Sequence, residues 1–310
     1  MDQATFEQML KRGPYGYQPV LSAPIVFLVI FCFLTLAHGF QAYRSRHQLW
    51  VLILPFACFA ETVGHALRVY GHFYPMNKDP YIAMQVILVL TPAFLAATHF
   101  TILGKISTMF PPSFSMVKPS WILPGFAALD LTSLSIQGGG SGVAATAQIA
   151  GKSTRPGGNI VLVGLVLQLI GYIAFNLLLL SFVKKCGRMA SETSELDDDK
   201  SVLLWDTRMK RFVAAVFVSS LLIFLRSVYR TVEMAVGWSG IIAHSEWTFY
   251  SFDAALVSAA TLILNLYHPG DHLDAGRVPN WGRDAGFDRD SDAESQEKGK
   301  TGSRLGEDLE

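Results

Sequence analysis

FVAAVFVSSLLIFLRSVYRTVE, Phe212 to Glu233, decides how this chain is read. From Phe212 to Leu225 it carries no charge. It then ends on Arg226, Arg230 and Glu233, all within eight residues. A helix needs about 17–25 mostly apolar residues to cross a bilayer, and this stretch is long enough. A charge placed at bilayer depth costs about 2.5–3.5 kcal/mol on insertion scales. The two arginines and the glutamate therefore have to face a protein interior and find partners there.

The rest of the chain repeats the pattern. Of its 310 residues 51% are hydrophobic and 16% are charged, well under the ~25% charged of an ordinary soluble domain. Seven stretches read as spans: Val20–Phe40, Leu49–Tyr70, Tyr81–Leu103, Trp121–Ile136, Asn159–Val183, Phe212–Val232 and Trp247–Tyr267. The fourth is the shortest. Backbone groups in lipid must be satisfied within the segment, so the expected fold is an all-α membrane protein, a seven-transmembrane helix bundle. The first stretch follows Lys11 and Arg12 but is long and lacks a small-x-small cleavage site, so it reads as a retained helix.

Lysine and arginine concentrate in cytoplasmic loops. With the N-terminus outside, inner segments hold 17 of them and outer segments 5, and Arg68, Arg226 and Arg230 lie within spans. The chain is therefore expected to have its N-terminus outside and its C-terminus cytoplasmic. It divides into an extracellular segment 1–19, a helical domain 20–270 and a polar, charged tail 271–310 expected to be disordered. Segment 137–158, rich in Gly, Ser, Thr and Ala, reads as a flexible loop, and 184–211 as the longest inner connection. Lys plus Arg equals Asp plus Glu, so net charge is silent on partners, and no nucleic-acid partner is expected.

Polar residues inside the spans share one spacing. Glu61, His65 and Arg68 stand at i, i+4 and i+7, as do Arg226, Arg230 and Glu233, and Glu246, Tyr250 and Asp253. Asp130 and Gln137 keep the i, i+7 relation. At about 100° per residue each set forms a stripe on one helix face. In the assigned orientation these stripes, with Gln85, all fall in the outer half of the membrane. Structural ion pairing explains any single member. So many polar groups at one depth suggest a hydrated cavity opening outward. Three positive charges face five negative ones (Glu61, Asp130, Glu233, Glu246, Asp253), which leaves one or two acids over: protonated, solvated in the cavity, or held for a cationic ligand. Arg226, the deepest of its stripe, is expected to meet Glu61, Asp130 or Asp253, and Arg230 to meet Glu233.

Other motifs lead nowhere. GKST at Gly151–Thr154 lacks the earlier glycine of a P-loop, because Thr146 stands there. His65 and His72 lie towards one side and His268 and His272 at the other, so they cannot share an ion, and no metal site or cofactor is expected. Cys32 and Cys58 lie inside spans, so no disulfide framework is implied. Cys186 is juxtamembrane, which permits palmitoylation, though an idle thiol is the simpler reading.

Five segments in order carry a resemblance: ETVGHALR (Glu61–Arg68), Gln85 with Pro92, LDLTSLSIQGGG (Leu129–Gly140), RSVYRTVE (Arg226–Glu233) and EWTFYSFD (Glu246–Asp253), between YGYQP (Tyr15–Pro19) and HPG (His268–Gly270). In this order the sequence resembles the fungal RTA-like family of seven-span lipid-translocating exporters. His65 stands where the family more often has tyrosine. The resemblance implies a multi-pass protein, often of the plasma membrane, that translocates sphingoid long-chain bases or related toxic amphiphiles and is not an enzyme. Its partners are membrane lipids and an amphiphilic substrate. The polar cavity would be lined by Glu61, His65, Arg68, Gln85, Asp130, Gln137, Arg226, Arg230, Glu233, Glu246, Tyr250 and Asp253. Two other readings remain open at this point: a seven-span receptor signalling through 184–211 and the tail, and an intramembrane metal-dependent lipid hydrolase.

Overall fold

In a computed structural model the described residues are 13–15, 17–45, 48–110, 115, 117–150, 152–192, 205–237 and 245–273. They form seven long helices, with no strand among them. α1 is Ser22–Arg44. A 3-10 turn, Leu49–Leu52, runs into Ile53–Phe73 to make α2. α3 is Lys78–Thr108, α4 Pro119–Ile149, α5 Arg155–Glu192 and α6 Thr207–Val236. α7 begins with Glu246–Phe249, widens through a π-helical turn at Tyr250–Ala254 and continues as Ala255–Leu266. The last described turn, α8, is Pro269–His272.

The distribution of side chains is that of a protein solvated by lipid. On α1, Val29, Phe33, Leu36 and Phe40 are exposed, while His38 on the same helix is fully buried. Glu61, Arg68, Asp130, Arg226 and Asp253 are all buried. Water would favour the reverse; hydrocarbon around the bundle favours what is seen, because polar groups then gain only by turning inward. Six helices are long and apolar enough to cross a membrane, and the chain is an integral membrane protein.

The seventh, α4, is where the sequence reading needs correction. The fourth span does not stop at Ile136, and 137–158 is not a loop. The helix continues to Ile149, and α5 already starts at Arg155. The small residues there serve packing. A Cβ on Gly157 would lie 2.4 Å from the backbone N of Ala144, one on Gly140 would lie 2.7 Å from the N of Val161, and one on Gly164 would lie 2.8 Å from the Ser133 carbonyl oxygen. Ser133, Gln137, Gly140 and Ala144 recur at i, i+4, i+7 and i+11, and at Gly140 and Ala144 this face of α4 is almost bare backbone. α5 presses against it, as small residues allow when helices associate in lipid. α4 spans 31 residues, about 46 Å at 1.5 Å per residue.

α5 likewise extends past its predicted end at Val183, to Glu192. Cys186 is buried in the same cluster as Phe182 and Trp205. Of the inner connection, 193–204 lie outside the described residues, as do 274–310 of the tail and 1–12 of the N-terminal segment.

Candidate functional site

Pro92 sits inside α3 and has no N–H to give to the carbonyl four residues earlier. That carbonyl belongs to Leu88, and Arg226 of α6 donates Nη2–H to it at 3.1 Å. The same guanidinium donates Nε–H to Asp253 Oδ1 of α7. Of the three acids expected near Arg226, Asp253 is the one that pairs with it. Arg230, one turn along, is 2.7 Å from Glu233 Oε2 and 3.8 Å from Asp253 Oδ2. Two arginines and two acids thus tie α6 to α7, and a proline on α3 leaves open the extra acceptor.

The second pairing lies between α2 and the start of α7. Arg68 Nη2 is 3.1 Å from Glu246 Oε1, and Arg68 Nε donates to the Tyr250 hydroxyl at 2.8 Å. Its guanidinium also lies over the Phe249 ring, 4.3 Å from the centroid. Tyr17, Pro19 and Val20 close over this group. Arg68 donates to the Tyr17 hydroxyl at 3.0 Å, Glu246 Oε2 accepts from the Val20 amide at 2.9 Å, and His72 Nδ1 donates to the Pro19 carbonyl at 2.6 Å. Burial raises the Tyr15 hydroxyl from its ordinary value of 10.0 to about 12, against the pull of Arg68. Tyr17 is raised as well, again chiefly by burial.

The π turn explains why the seventh-span stripe has two addressees. Glu246 and Tyr250 serve Arg68 on α2, while Asp253, beyond the widened turn, serves Arg226 and Arg230 on α6. Such turns re-aim side chains and recur at functional sites.

A third group lies between α4 and α5. Gln137 Nε2 donates to Ser133 Oγ at 2.9 Å and to Gln168 Oε1 at 3.2 Å, and Ser133 donates to the Gly164 carbonyl at 2.7 Å. Asp130, one helix turn before Ser133, is buried and has Gln168 as its polar neighbour. The buried Tyr172 hydroxyl, within electrostatic reach of both Asp130 and Arg226, has no hydrogen-bond partner among the described residues.

Glu61 and His65 occupy the space between the ion pairs. Glu61 has Thr91, Asp253 and Arg226 as polar neighbours. His65 is fully buried between Phe27 and Phe31, each at 5.5 Å between ring centroids, with Tyr250 at 6.5 Å. Its Nε2 is 3.6 Å from Glu61 Oε2, beyond hydrogen-bond distance, and neither ring nitrogen has a hydrogen-bond partner among the described residues. A buried unmade hydrogen bond costs about 1–3 kcal/mol. Gln85 stands apart: half-buried, it donates to the Tyr81 hydroxyl at 3.1 Å.

The ion pairs leave a definite remainder. Glu233, Glu246 and Asp253 each meet an arginine; among the described residues Glu61 and Asp130 meet neither Lys nor Arg. Several participants were not singled out in the sequence: Tyr17, Gln168, Tyr172 and the Leu88 carbonyl. Gln168 offered a signal, an amide in the middle of an apolar run. The role of Pro92 was readable only once α3 and α6 were neighbours. No group of three or more metal-ligating side chains occurs among the described residues.

A profile of the family described as RTA1 like protein matches residues 54–275. The chain is 29% identical over 290 residues, 87% of its length, to a lipid-translocating exporter-like protein RTA1 of Leptosphaeria maculans, and spans 53% of that relative, about half its length. It is 27% identical over 282 residues to a sphingoid long-chain base transporter RSB1 of Saccharomyces cerevisiae, covering 82% of this chain and 73% of the relative. It is 26% identical over 278 residues to protoporphyrin uptake protein 1 of Saccharomyces cerevisiae, covering 77% and 86% respectively. No solved structure matches. Apolar helices that bury paired charges, the ordered motifs from Glu61 to Asp253 and the profile match over most of the chain agree: this protein belongs to the RTA1-like family.

Proposed function

We propose that this protein moves a long-chain amine across the membrane and that the ammonium group is held by Glu61, with Asp130 as a second anionic station. The observation that carries this is the charge remainder: of five intramembrane acids, these two meet neither Lys nor Arg among the described residues. An unpaired buried carboxylate is costly, and a cation in its place offsets that cost. Glu246 and Asp253, equally eligible from the sequence, are taken up by arginines and act as scaffolding.

The relatives carry names with opposite charge implications, a long-chain base transporter and a protoporphyrin uptake protein. A base is a cation and a porphyrin carries carboxylates. Surplus acid favours the base. The aromatic rings around His65 (Phe27, Phe31, Phe249, Tyr250) suit the first methylenes of an alkyl chain as well as an ammonium. The lysine and arginine distribution supports an orientation with this group in the outer half of the membrane, and a plasma-membrane location is consistent with release of the base outward.

The test is equilibrium binding of sphinganine to detergent-purified protein. A charge-assisted hydrogen bond is worth about 1.5–3 kcal/mol, so Glu61→Gln should weaken binding by about ten- to hundredfold. Binding unaffected by both Glu61→Gln and Asp130→Asn would refute the assignment.

A further inference from the structure

At the end of the bundle away from Arg68, a cleft of about 510 Å³ is lined by Asp206, Thr207, Arg208, Arg211, Tyr267 and His272. His272 stacks on Phe212 at 4.6 Å and donates Nδ1–H to the His268 carbonyl at 3.0 Å. Behind it, His268 is buried, and neither of its ring nitrogens has a partner among the described residues. The His38 ring is 6.0 Å from that of His268. His38 Nε2 is 3.1 Å from the Thr261 carbonyl. A carbonyl only accepts, so Nε2 carries the hydrogen and Nδ1 holds the lone pair. That Nδ1 is buried and unpartnered too. On the far side of Thr261, its hydroxyl adjoins the Cys58 thiol, and Cys58 neighbours Glu61. Glu61 in turn faces His65 at 3.6 Å.

Buried polar atoms without partners are uncommon in folded proteins, and each calls for a reason. Here three such nitrogens, two on His268 and one on His38, lie in neighbouring rings behind an open cleft. The two imidazoles, the Thr261 hydroxyl and the Cys58 thiol can each both donate and accept a hydrogen.

We propose that His268 and His38 form a proton route from the cleft to Glu61, and that a proton reaching Glu61 displaces the long-chain ammonium, so the protein exchanges one proton for one amine cation. The inference rests on Glu61 as the amine's acceptor. The step balances: the Glu61 carboxylate takes one proton and becomes neutral, the ammonium leaves intact as a cation, and the site's net charge is unchanged. The Thr261 carbonyl only accepts, so it fixes the His38 tautomer and carries nothing onward; the proton passes by the His268 and His38 rings, the Thr261 hydroxyl and the Cys58 thiol, with water from the cleft bridging between them.

The groups facing this route set its response to pH. His268 faces His38 on α1 and Asp271 and His272 on α8. His38 faces His268 and the Thr261 backbone. Glu61 faces Asp253 on α7, Arg226 on α6, Thr91 on α3, and Cys58 and His65 on its own helix. His65 faces Arg68 on its own helix and Asp253 on α7. Around Glu61 the fixed charges of Arg226 and Asp253 offset each other, so the protonation of Glu61 itself decides whether a cation is held.

The experiment uses the full chain in liposomes loaded with the pH dye pyranine, with sphinganine added outside and protein-free vesicles as the baseline. Sphinganine binding is measured on the same detergent preparations. Wild type should show sphinganine-dependent proton movement above baseline. His268→Gln and His38→Gln should reduce it by about tenfold or more while binding sphinganine within about twofold of wild type. Proton movement at the wild-type rate in both variants overturns the route, as does wild-type sphinganine transport with no proton movement. Loss of binding in wild type is a different failure: it refutes the amine site and the exchange with it. A His268→Gln variant that does not fold leaves His38→Gln to decide.

Discussion

Arg226 and Asp253 face each other across α6 and α7, and the other oxygen of that carboxylate stands 3.8 Å from Arg230. One acid thus serves two arginines. Removing one partner of a buried pair costs about 3–5 kcal/mol, because the other charge is left uncompensated. Asp253→Ala should therefore lower stability by about that amount, read as a loss of unfolding midpoint in detergent. Glu233→Gln should cost clearly less, since Arg230 is partly exposed and keeps Asp253. Equal effects would contradict the shared-acid arrangement.

Pro92 and Arg226 should be energetically coupled. With Pro92 present, the Leu88 carbonyl depends on Arg226; in Pro92→Ala the restored amide competes for it. A double-mutant cycle of Pro92→Ala and Arg226→Gln should give a coupling of about 1 kcal/mol, the net worth of one hydrogen bond. Additive effects would show that the proline does not leave this acceptor open.

The three glycines of Gly138–Gly140 should separate sharply. A Cβ at Gly138 or Gly139 meets nothing within 4 Å, whereas at Gly140 it meets the α5 backbone. Alanine at either of the first two should be neutral or stabilising by up to about 1 kcal/mol. At Gly140 it should destabilise by about 1–3 kcal/mol, since backbone has to move. Thermal unfolding of the three single variants is sufficient.

Docking of the N-terminal segment should fail at high pH. Tyr15 is buried against Gly71 and Met84, and its hydroxyl is raised from 10.0 to about 12. A raised value means its contribution is fully present below pH 10.0 and is lost as pH rises towards about 12. Limited proteolysis of residues 13–21 should therefore accelerate across that window. Tyr15→Phe should remove the Tyr15 component of the pH dependence, and an unchanged profile in that variant would contradict it.

The helices were legible because lipid imposes one rule: long apolar runs must be helical. The charged stripes were legible because helical periodicity places i, i+4 and i+7 together. What was not legible depended on neighbours. Gly140, Gly157 and Gly164 looked like loop composition because the α5 face that needs them bare lies elsewhere in the sequence. Glu246, Tyr250 and Asp253 looked like one stripe because a π turn leaves no mark in residue spacing. Which acids would be left over could only be decided once the arginines had chosen partners: of Glu61, Asp130, Glu246 and Asp253, the arginines leave Glu61 and Asp130.

The central claim, that those two acids hold a cationic amine in transit, is tested most directly by flux. Purified protein in liposomes is given labelled sphinganine, and its crossing is followed against protein-free vesicles. Expected is saturable transport by wild type, reduced about tenfold or more in Glu61→Gln, with Glu61→Asp retaining part of it and both variants unfolding near the wild-type midpoint. Transport by a stably folded Glu61→Gln, Asp130→Asn double variant at the wild-type rate would contradict it.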